Sequence, residues 1–414
     1  MAEFASEVAT SAAEMRALFP ATPLQRNNFL SSRYNAEIYL KREDLSPVRS
    51  YKIRGAFNAM RKAIKARKTT DFVCASAGNH AQGVAYACRH FGVHGVIFMP
   101  VTTPQQKIEK TKVFGEDAIE IRLIGDYFDV TLGAAMDYCE SQGAHFLSPF
   151  DDADVIEGQA SVALEILEQM PHAPDMIVLP VGGGGLSSGV KRFCSEMEPQ
   201  INLQLVEPEG GASLTAALSV GNPVILGSLD TFVDGAAVAR IGDRNFEMLR
   251  DIPPDHVHTV PEDRICGTIL EMLNHEGIVL EPAGALVVDV LPDIAEMIAG
   301  KTAVLVTSGG NFDFERLPEV KERAQRYAGL KKYFILRLPQ RPGALRDFLE
   351  MLGPDDDIAR FEYLKKSARN FGTVLIGIET SSADQFDTLF AKLDAEGFAY
   401  RDITNDETLA EFVV

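Results

Sequence analysis

Paired thiols are missing from this chain. Its five cysteines, Cys74, Cys88, Cys139, Cys194 and Cys266, are scattered singly, with no Cys-x-x-Cys and no Cys/His cluster. That argues against a zinc site, and an odd count without a short framework fits a reducing compartment. Basic clusters are missing too. Lysine and arginine total 40 against 59 aspartates and glutamates, a net charge of −19. Such a surface repels nucleic acid and anionic membranes. No apolar run approaches the ~18 residues of a membrane helix. The segment from Met1 to Pro20 carries Glu3, Glu7 and Glu14 and lacks the basic start of a secretory signal. The expectation is a cytoplasmic protein with no metal, no nucleic-acid partner and no membrane association.

What is present is patterned. The 414 residues, 46% of them hydrophobic, can fill two or three packed cores. From Glu37 to about Asn311, short β-branched runs alternate with longer amphipathic stretches. Phe72–Ala75, Val93–Met99, Ile119–Leu123, Met176–Pro180, Leu203–Val206 and Thr302–Thr307 read as strands. This alternation predicts an α/β protein with open parallel sheets covered by helices. Ligands in such sheets bind in loops beyond the strand C-termini. After a closing helix, Glu315 to Tyr327, a boundary is expected near Gly329, giving domains 1–329 and 330–414. The tail reads as strand Lys332–Leu338, helix to about Leu352, strands Ile358–Leu364 and Thr373–Ile378, helix Ala383–Glu396 and strand Phe398–Ile403. The order βαββαβ is a ferredoxin-like unit. Its plainest use is to hold subunits together.

The unusual residues stand at strand ends. Lys52, in Ser50-Tyr51-Lys52-Ile53-Arg54-Gly55-Ala56, follows the run Tyr39-Leu40-Lys41-Arg42-Glu43-Asp44 and opens a helix-like segment. Desolvation and nearby positive charge there lower an amine's pKa, which suits attack on a carbonyl. A lone lysine is usually a solvated surface charge. The second motif, Gly182-Gly183-Gly184-Gly185-Leu186, changes the balance. It follows a strand and precedes a helix, where close-packed amides bind phosphate. An amine for an aldehyde and a loop for a phosphate together suit pyridoxal 5′-phosphate. Gly182–Gly189 does not fit G-x-G-x-x-G, because Ser187 and Ser188 stand where the third glycine is required, and no Gly-Lys-Ser/Thr is present. Glu207, at the place of a ribose-binding acid, then reads as structural or as a cation ligand. Ser76-Ala77-Gly78-Asn79-His80 opens a further helix, with amides suited to a carboxylate and an Asn79 donor suited to a phenolic oxygen. His80 reads as a hydrogen-bonded structural residue. Ser308, in Thr307-Ser308-Gly309-Gly310-Asn311, offers a neutral hydroxyl. Facing a pyridine nitrogen, it leaves that nitrogen unprotonated, which suits β-elimination better than transamination.

These motifs, in this order, resemble the fold-type II pyridoxal-phosphate enzymes. Glu281-Pro282-Ala283-Gly284-Ala285 and Leu338-Pro339-Gln340-Arg341-Pro342-Gly343 fit the same pattern. The nearest resemblance is to the short-form biosynthetic threonine dehydratases (threonine ammonia-lyases), with one C-terminal ACT-like regulatory domain. The resemblance implies that Lys52 holds the cofactor as a Schiff base and, once freed, removes the substrate α-proton. It implies that Asn79 contacts the cofactor's 3′-oxygen, that Gly182, Gly183, Gly184, Gly185 and Leu186 hold its phosphate, and that Ser308 faces its nitrogen. Ser76, Ala77, Gly78 and Asn79 would hold the substrate carboxylate. The implied reaction converts L-threonine to 2-oxobutanoate and ammonia, the first step of isoleucine biosynthesis, and L-serine to pyruvate. Isoleucine would be the effector, and the chain a dimer or tetramer. Serine racemases of this fold carry serine where this chain has Ala77, so racemisation lacks its second proton carrier. They also bind a divalent cation through a Glu-Pro segment; Glu207 is present, but the matching later position is Ser213. A serine racemase or catabolic serine–threonine dehydratase, and more remotely a nicotinamide-linked dehydrogenase, stand as alternatives.

Overall fold

Three sheets carry the architecture of the computed structural model, which describes residues 3–66, 69–364 and 370–406. The first has the strand order Leu24–Arg26, Glu37–Arg42, Thr302–Thr307, Met176–Pro180, Asn202–Pro208 and Val257–Val260. All its neighbours pair in parallel except the first two strands. The second sheet is fully parallel, in the order Ile119–Leu123, His94–Met99, Asp71–Ala75 and His145–Phe146. The six strands expected in this part of the chain are all present. Glu37–Arg42, the run leading to Lys52, is a further strand; Leu24–Arg26, His145–Phe146 and Val257–Val260 are also additional, and too short for an alternating pattern to show.

The central strands Met176–Pro180 and Thr302–Thr307 are continuous apolar runs because helices cover both their faces. One core lies between this sheet and the helices Ala153–Gln169 and Gly185–Met197, with Ile177, Leu179, Val190, Phe193, Val304 and Val306 buried. Another lies against the second sheet, around Met60, Phe72, Val84, Ile97 and Met99. The topology sets three motifs side by side. Glu37–Arg42, Thr302–Thr307 and Met176–Pro180 are neighbours, and their C-terminal ends lead to Lys52, Ser308 and Gly182.

The chain divides into two units, Met1–Phe312 and Asp313–Val414. The division falls before the helix Leu317–Tyr327 rather than after it, near Gly329. The reason lies in what that helix bonds to. Arg326 donates to the Thr404 carbonyl at 2.6 Å and Gln325 to Glu379 at 3.1 Å. Lys331 joins Glu322 at 2.5 Å and Glu379 at 2.9 Å. Thus the closing helix belongs with the tail. The tail shows the expected βαββαβ order: Lys331–Pro339, Ala344–Leu349, Asp357–Leu364, Phe371–Glu379, Gln385–Ala395 and Tyr400–Asp402. Its four strands form one antiparallel sheet. Phe334, Leu336, Phe348, Ile376, Phe386 and Leu389 are buried between sheet and helices. Burying each such side chain contributes about 1.5–3 kcal/mol. The first tail helix ends at Leu349, short of Leu352. Among the described residues, no helix is long and apolar enough to cross a membrane.

Candidate active site

Lys52 is the first residue of the helix Lys52–Lys65, and its surroundings fix it from several sides. Arg42 lies opposite Thr307 in the sheet. Beyond that pair the Tyr51 amide donates to the Ser308 carbonyl at 3.1 Å, and Ser50 bridges to Gly309. Two residues past Lys52, Arg54 is anchored in a buried ionic cluster. Its guanidinium donates to Glu43 at 2.7 Å and to Glu165 at 2.8 and 2.9 Å. The Lys41 amine reaches Glu165 at 2.6 Å. All four charged groups are fully buried, two of each sign. Breaking one partner out of such a cluster costs about 3–5 kcal/mol, because a buried charge is left uncompensated. The charged run after Tyr39 is thus an internal brace for the lysine helix.

The Lys52 Nζ donates to the Pro149 carbonyl at 2.8 Å. It lies 5.4 Å from the Tyr51 ring centre and 6.0 Å from that of Phe150. The residue keeps some exposure, yet its amine is closely surrounded by protein. Burial brings its pKa down to about 8, against an opposing pull from the Glu281 carboxylate. An amine so placed is largely neutral at mildly alkaline pH and can attack a carbonyl.

The glycine loop lies on Phe150. A Cβ on Gly183 would sit 2.2 Å from the Phe150 ring, and one on Gly185 would sit 2.9 Å from the Phe150 carbonyl. Gly184 precedes the helix Gly185–Met197 with φ +91°, a conformation L side chains rarely adopt. Asn245 ties the loop down, donating to the Gly183 carbonyl at 2.7 Å and to the Phe150 carbonyl at 3.2 Å. Among the described residues, the amides of Gly182 to Leu186 donate to no other protein group. A side-chain-free cradle with unspent N–H groups at a helix N-terminus is the donor set a phosphate monoester requires. The residues fit the cofactor phosphate.

Ser76, Ala77, Gly78 and Asn79 follow the strand Asp71–Ala75 and open the helix Asn79–Phe91, whose first turn has no side-chain cap. All four are half-buried. The Ser76 hydroxyl accepts from the Gly78 amide at 3.2 Å. Asn79 is held by long-range bonds: its Nδ2 donates to Glu281 at 2.7 Å, and its Oδ1 accepts from Asn311 Nδ2 at 2.7 Å. His80 is buried, with Nε2 at 2.9 Å from the Leu147 carbonyl. Burial, with the nearby Lys52 amine, lowers its pKa to about 3, so it is neutral and structural, as expected.

Glu207 does not reach this site. Its carboxylate accepts from the Leu214 amide at 2.7 Å, the Thr215 amide at 2.9 Å and the Thr215 hydroxyl at 2.7 Å. It caps the helix Ser213–Val220 from outside, and burial raises its pKa to about 7. This is the structural use foreseen as one alternative. Among the described residues, no three His, Cys, Asp or Glu side chains group to hold a metal ion.

The four motifs therefore meet. Lys52 adjoins Ser308 through Tyr51 and adjoins the glycine loop through Pro149 and Phe150; Asn79 adjoins the Ser308 loop through Asn311. Sequence reasoning gave no role to Glu281, Asn311, Phe150 or Asn245. Glu281 and Asn311 stand in segments already singled out as motifs, Glu281 as a carboxylate directly before a proline that starts a helix; Phe150 and Asn245 had no local signal.

This α/β scaffold, with a desolvated lysine amine joined to a glycine phosphate cradle, defines a pyridoxal-phosphate dependent enzyme. Residues 16–309 match the family described as pyridoxal-phosphate dependent enzyme. Residues 322–413 match the C-terminal regulatory domain of threonine dehydratase. L-threonine dehydratase biosynthetic IlvA of Bacillus subtilis is 46% identical over 394 residues, covering 95% of this chain and 93% of that protein. Its counterpart of the same description in Lactococcus lactis subsp. lactis is 44% identical, covering 99% of each. Among solved structures, the processed form of threonine deaminase isoform 2 from Solanum lycopersicum superposes with a TM-score of 0.72 at 34% identity, covering 78% of this chain and 94% of that one. The chain belongs to the threonine dehydratase family of pyridoxal-phosphate dependent enzymes.

Proposed function

We propose that this lyase converts L-threonine to 2-oxobutanoate and ammonia, and L-serine to pyruvate and ammonia, under feedback inhibition by isoleucine. The observation that carries the chemistry is the Lys52 amine, lowered to about pKa 8 and joined to the glycine cradle through Pro149 and Phe150. When bound, pyridoxal 5′-phosphate supplies an aldehyde for the amine and a conjugated ring that accepts the electrons of the substrate Cα.

The chain's own residues do the rest. Lys52 anchors the cofactor, and its freed Nζ takes the α-proton. The amides of Gly182, Gly183, Gly184, Gly185 and Leu186 hold the phosphate. Asn79 would offer an N–H to the ring oxygen, and Ser308 would offer a neutral hydroxyl to the ring nitrogen. The amides from Ser76 to Asn79 orient the substrate carboxylate and so the Cα–H bond toward Lys52. Ala77 has no ionisable group and cannot serve as an acid on the opposite face of Cα, which favours elimination over racemisation.

Regulation rests on the tail. Its ferredoxin-like sheet and its match to a threonine dehydratase regulatory domain support an effector site outside the first unit. Isoleucine as that effector follows from the resemblance to the short-form biosynthetic threonine dehydratases. Coupling of such sites is typically ~1–3 kcal/mol. The test is 2-oxobutanoate formation from threonine, with and without isoleucine, in the full chain and in a chain ending at Phe312. The full chain should be inhibited and the shortened one should lose the inhibition. No 2-oxobutanoate from the full chain would refute the activity, and equal inhibition of both would refute the tail as the effector site.

A further inference from the structure

Glu281 is a buried acid that the scheme above leaves unused. It is the N-cap residue of the helix Pro282–Asp289 and is 5% exposed. Room for it is made by a neighbour: a Cβ on Gly309 would lie 2.1 Å from its Oε1. Oε1 accepts from Asn79 Nδ2 at 2.7 Å. An asparagine side chain has two N–H donors and one acceptor oxygen. The oxygen of Asn79 is spent on Asn311, whose own oxygen accepts from the Lys110 amine at 2.5 Å. One N–H is spent on Glu281. Asn79 is therefore locked in one orientation, with a single N–H left to present.

We propose that Glu281 is a positioning residue of this site: through its bond to Asn79 it aims the remaining Asn79 N–H at the cofactor's ring oxygen, and its carboxylate charge acts on the Lys52 amine. This rests on the reading of Lys52 and Asn79 given above. The charged surroundings support a carboxylate that titrates near neutrality. Burial and then the Asp234 charge raise its pKa to about 7, opposed by the Asn79 side chain, by Lys107 and by the Asn311 amide. Lys107 is itself paired with Asp234 at 2.5 Å. From the remaining elements Lys52, Tyr51 and Lys110 all feel its charge. Deprotonating Glu281 strengthens its grip on Asn79 and favours the protonated form of the Lys52 nitrogen. Protonating it weakens both.

The test follows the cofactor absorbance of the holoenzyme across the neutral pH range, a readout separate from turnover. Glu281→Gln keeps the size and removes the charge. It should lower the midpoint at which the Lys52 nitrogen loses its proton by about one pH unit, the size expected for losing a nearby opposite charge. Asp234→Asn leaves Glu281 in place and alters a side chain that is 41% exposed. It should move the Glu281 step to lower pH, and it should change nothing in the Glu281→Gln background. A merely structural glutamate would give no such dependence on Asp234. Profiles identical to the parent in Asp234→Asn overturn the proposal, even if Glu281→Gln does not fold. A parent chain with no cofactor band at all would instead overturn the underlying reading of Lys52.

Discussion

Adding one methyl group at Gly183 tests the phosphate cradle directly. In Gly183→Ala the new Cβ would lie 2.2 Å from Cγ and 2.3 Å from Cδ1 of Phe150. Carbon atoms rest at about 3.5–4.0 Å, so the ring must retreat by more than about 1 Å. The retreat is resisted on two sides. The Phe150 carbonyl is held by Asn245 at 3.2 Å, and the carbonyl of the preceding Pro149 holds Lys52 at 2.8 Å. Overpacking of this kind costs about 1–3 kcal/mol. Since about 1.4 kcal/mol is tenfold in an equilibrium constant, strain felt on loading should weaken cofactor binding by about tenfold to a hundredfold. The assay is cofactor titration of the resolved protein by absorbance, beside a thermal melt. Gly267→Ala is the control: it is an exposed position within the helix Glu262–Glu276, and an added Cβ meets nothing within 4 Å. Alanine there should be neutral or stabilising by up to about 1 kcal/mol. Parental cofactor affinity and melting temperature in Gly183→Ala would refute the tight packing of loop on Phe150.

Lys52→Ala should lose the cofactor absorbance and turnover together, because one amine serves as anchor and base; substantial turnover without added amine would refute this. Reconstitution of the parent should speed up about tenfold per pH unit below about 8 and level off above it, since only the neutral amine attacks and burial has brought its pKa down to about 8. A rate still rising steeply through the ordinary lysine range would show that Lys52 is not desolvated. With L-serine as substrate, chiral analysis of the recovered amino acid should find pyruvate formation with little D-serine. Racemisation at a rate near elimination would defeat the argument from Ala77.

Much of this protein was legible along the chain. Alternating β-branched and amphipathic runs determined the parallel α/β sheets, since strand and helix periodicity are local properties of a few residues. Glycines at a strand end and a lysine at a helix start declared a phosphate cradle and an amine, because each motif needs only its own backbone. The order βαββαβ declared the tail. The tertiary structure decided what depends on residues far apart in sequence. It gathered Lys41, Glu43 and Arg54 into a buried brace, because Glu165, the partner of Lys41 and Arg54, lies more than a hundred positions away. It committed Glu207 to a helix cap, and it moved the helix Leu317–Tyr327 into the second unit through side chains no periodicity predicts. It also brought Glu281 to Asn79 across 202 positions, where desolvation and the Asp234 charge raise the carboxyl's pKa to about 7 against the pull of that hydrogen bond. Spacing along a chain encodes local shape; burial and charge pairing exist only once distant segments have closed around them.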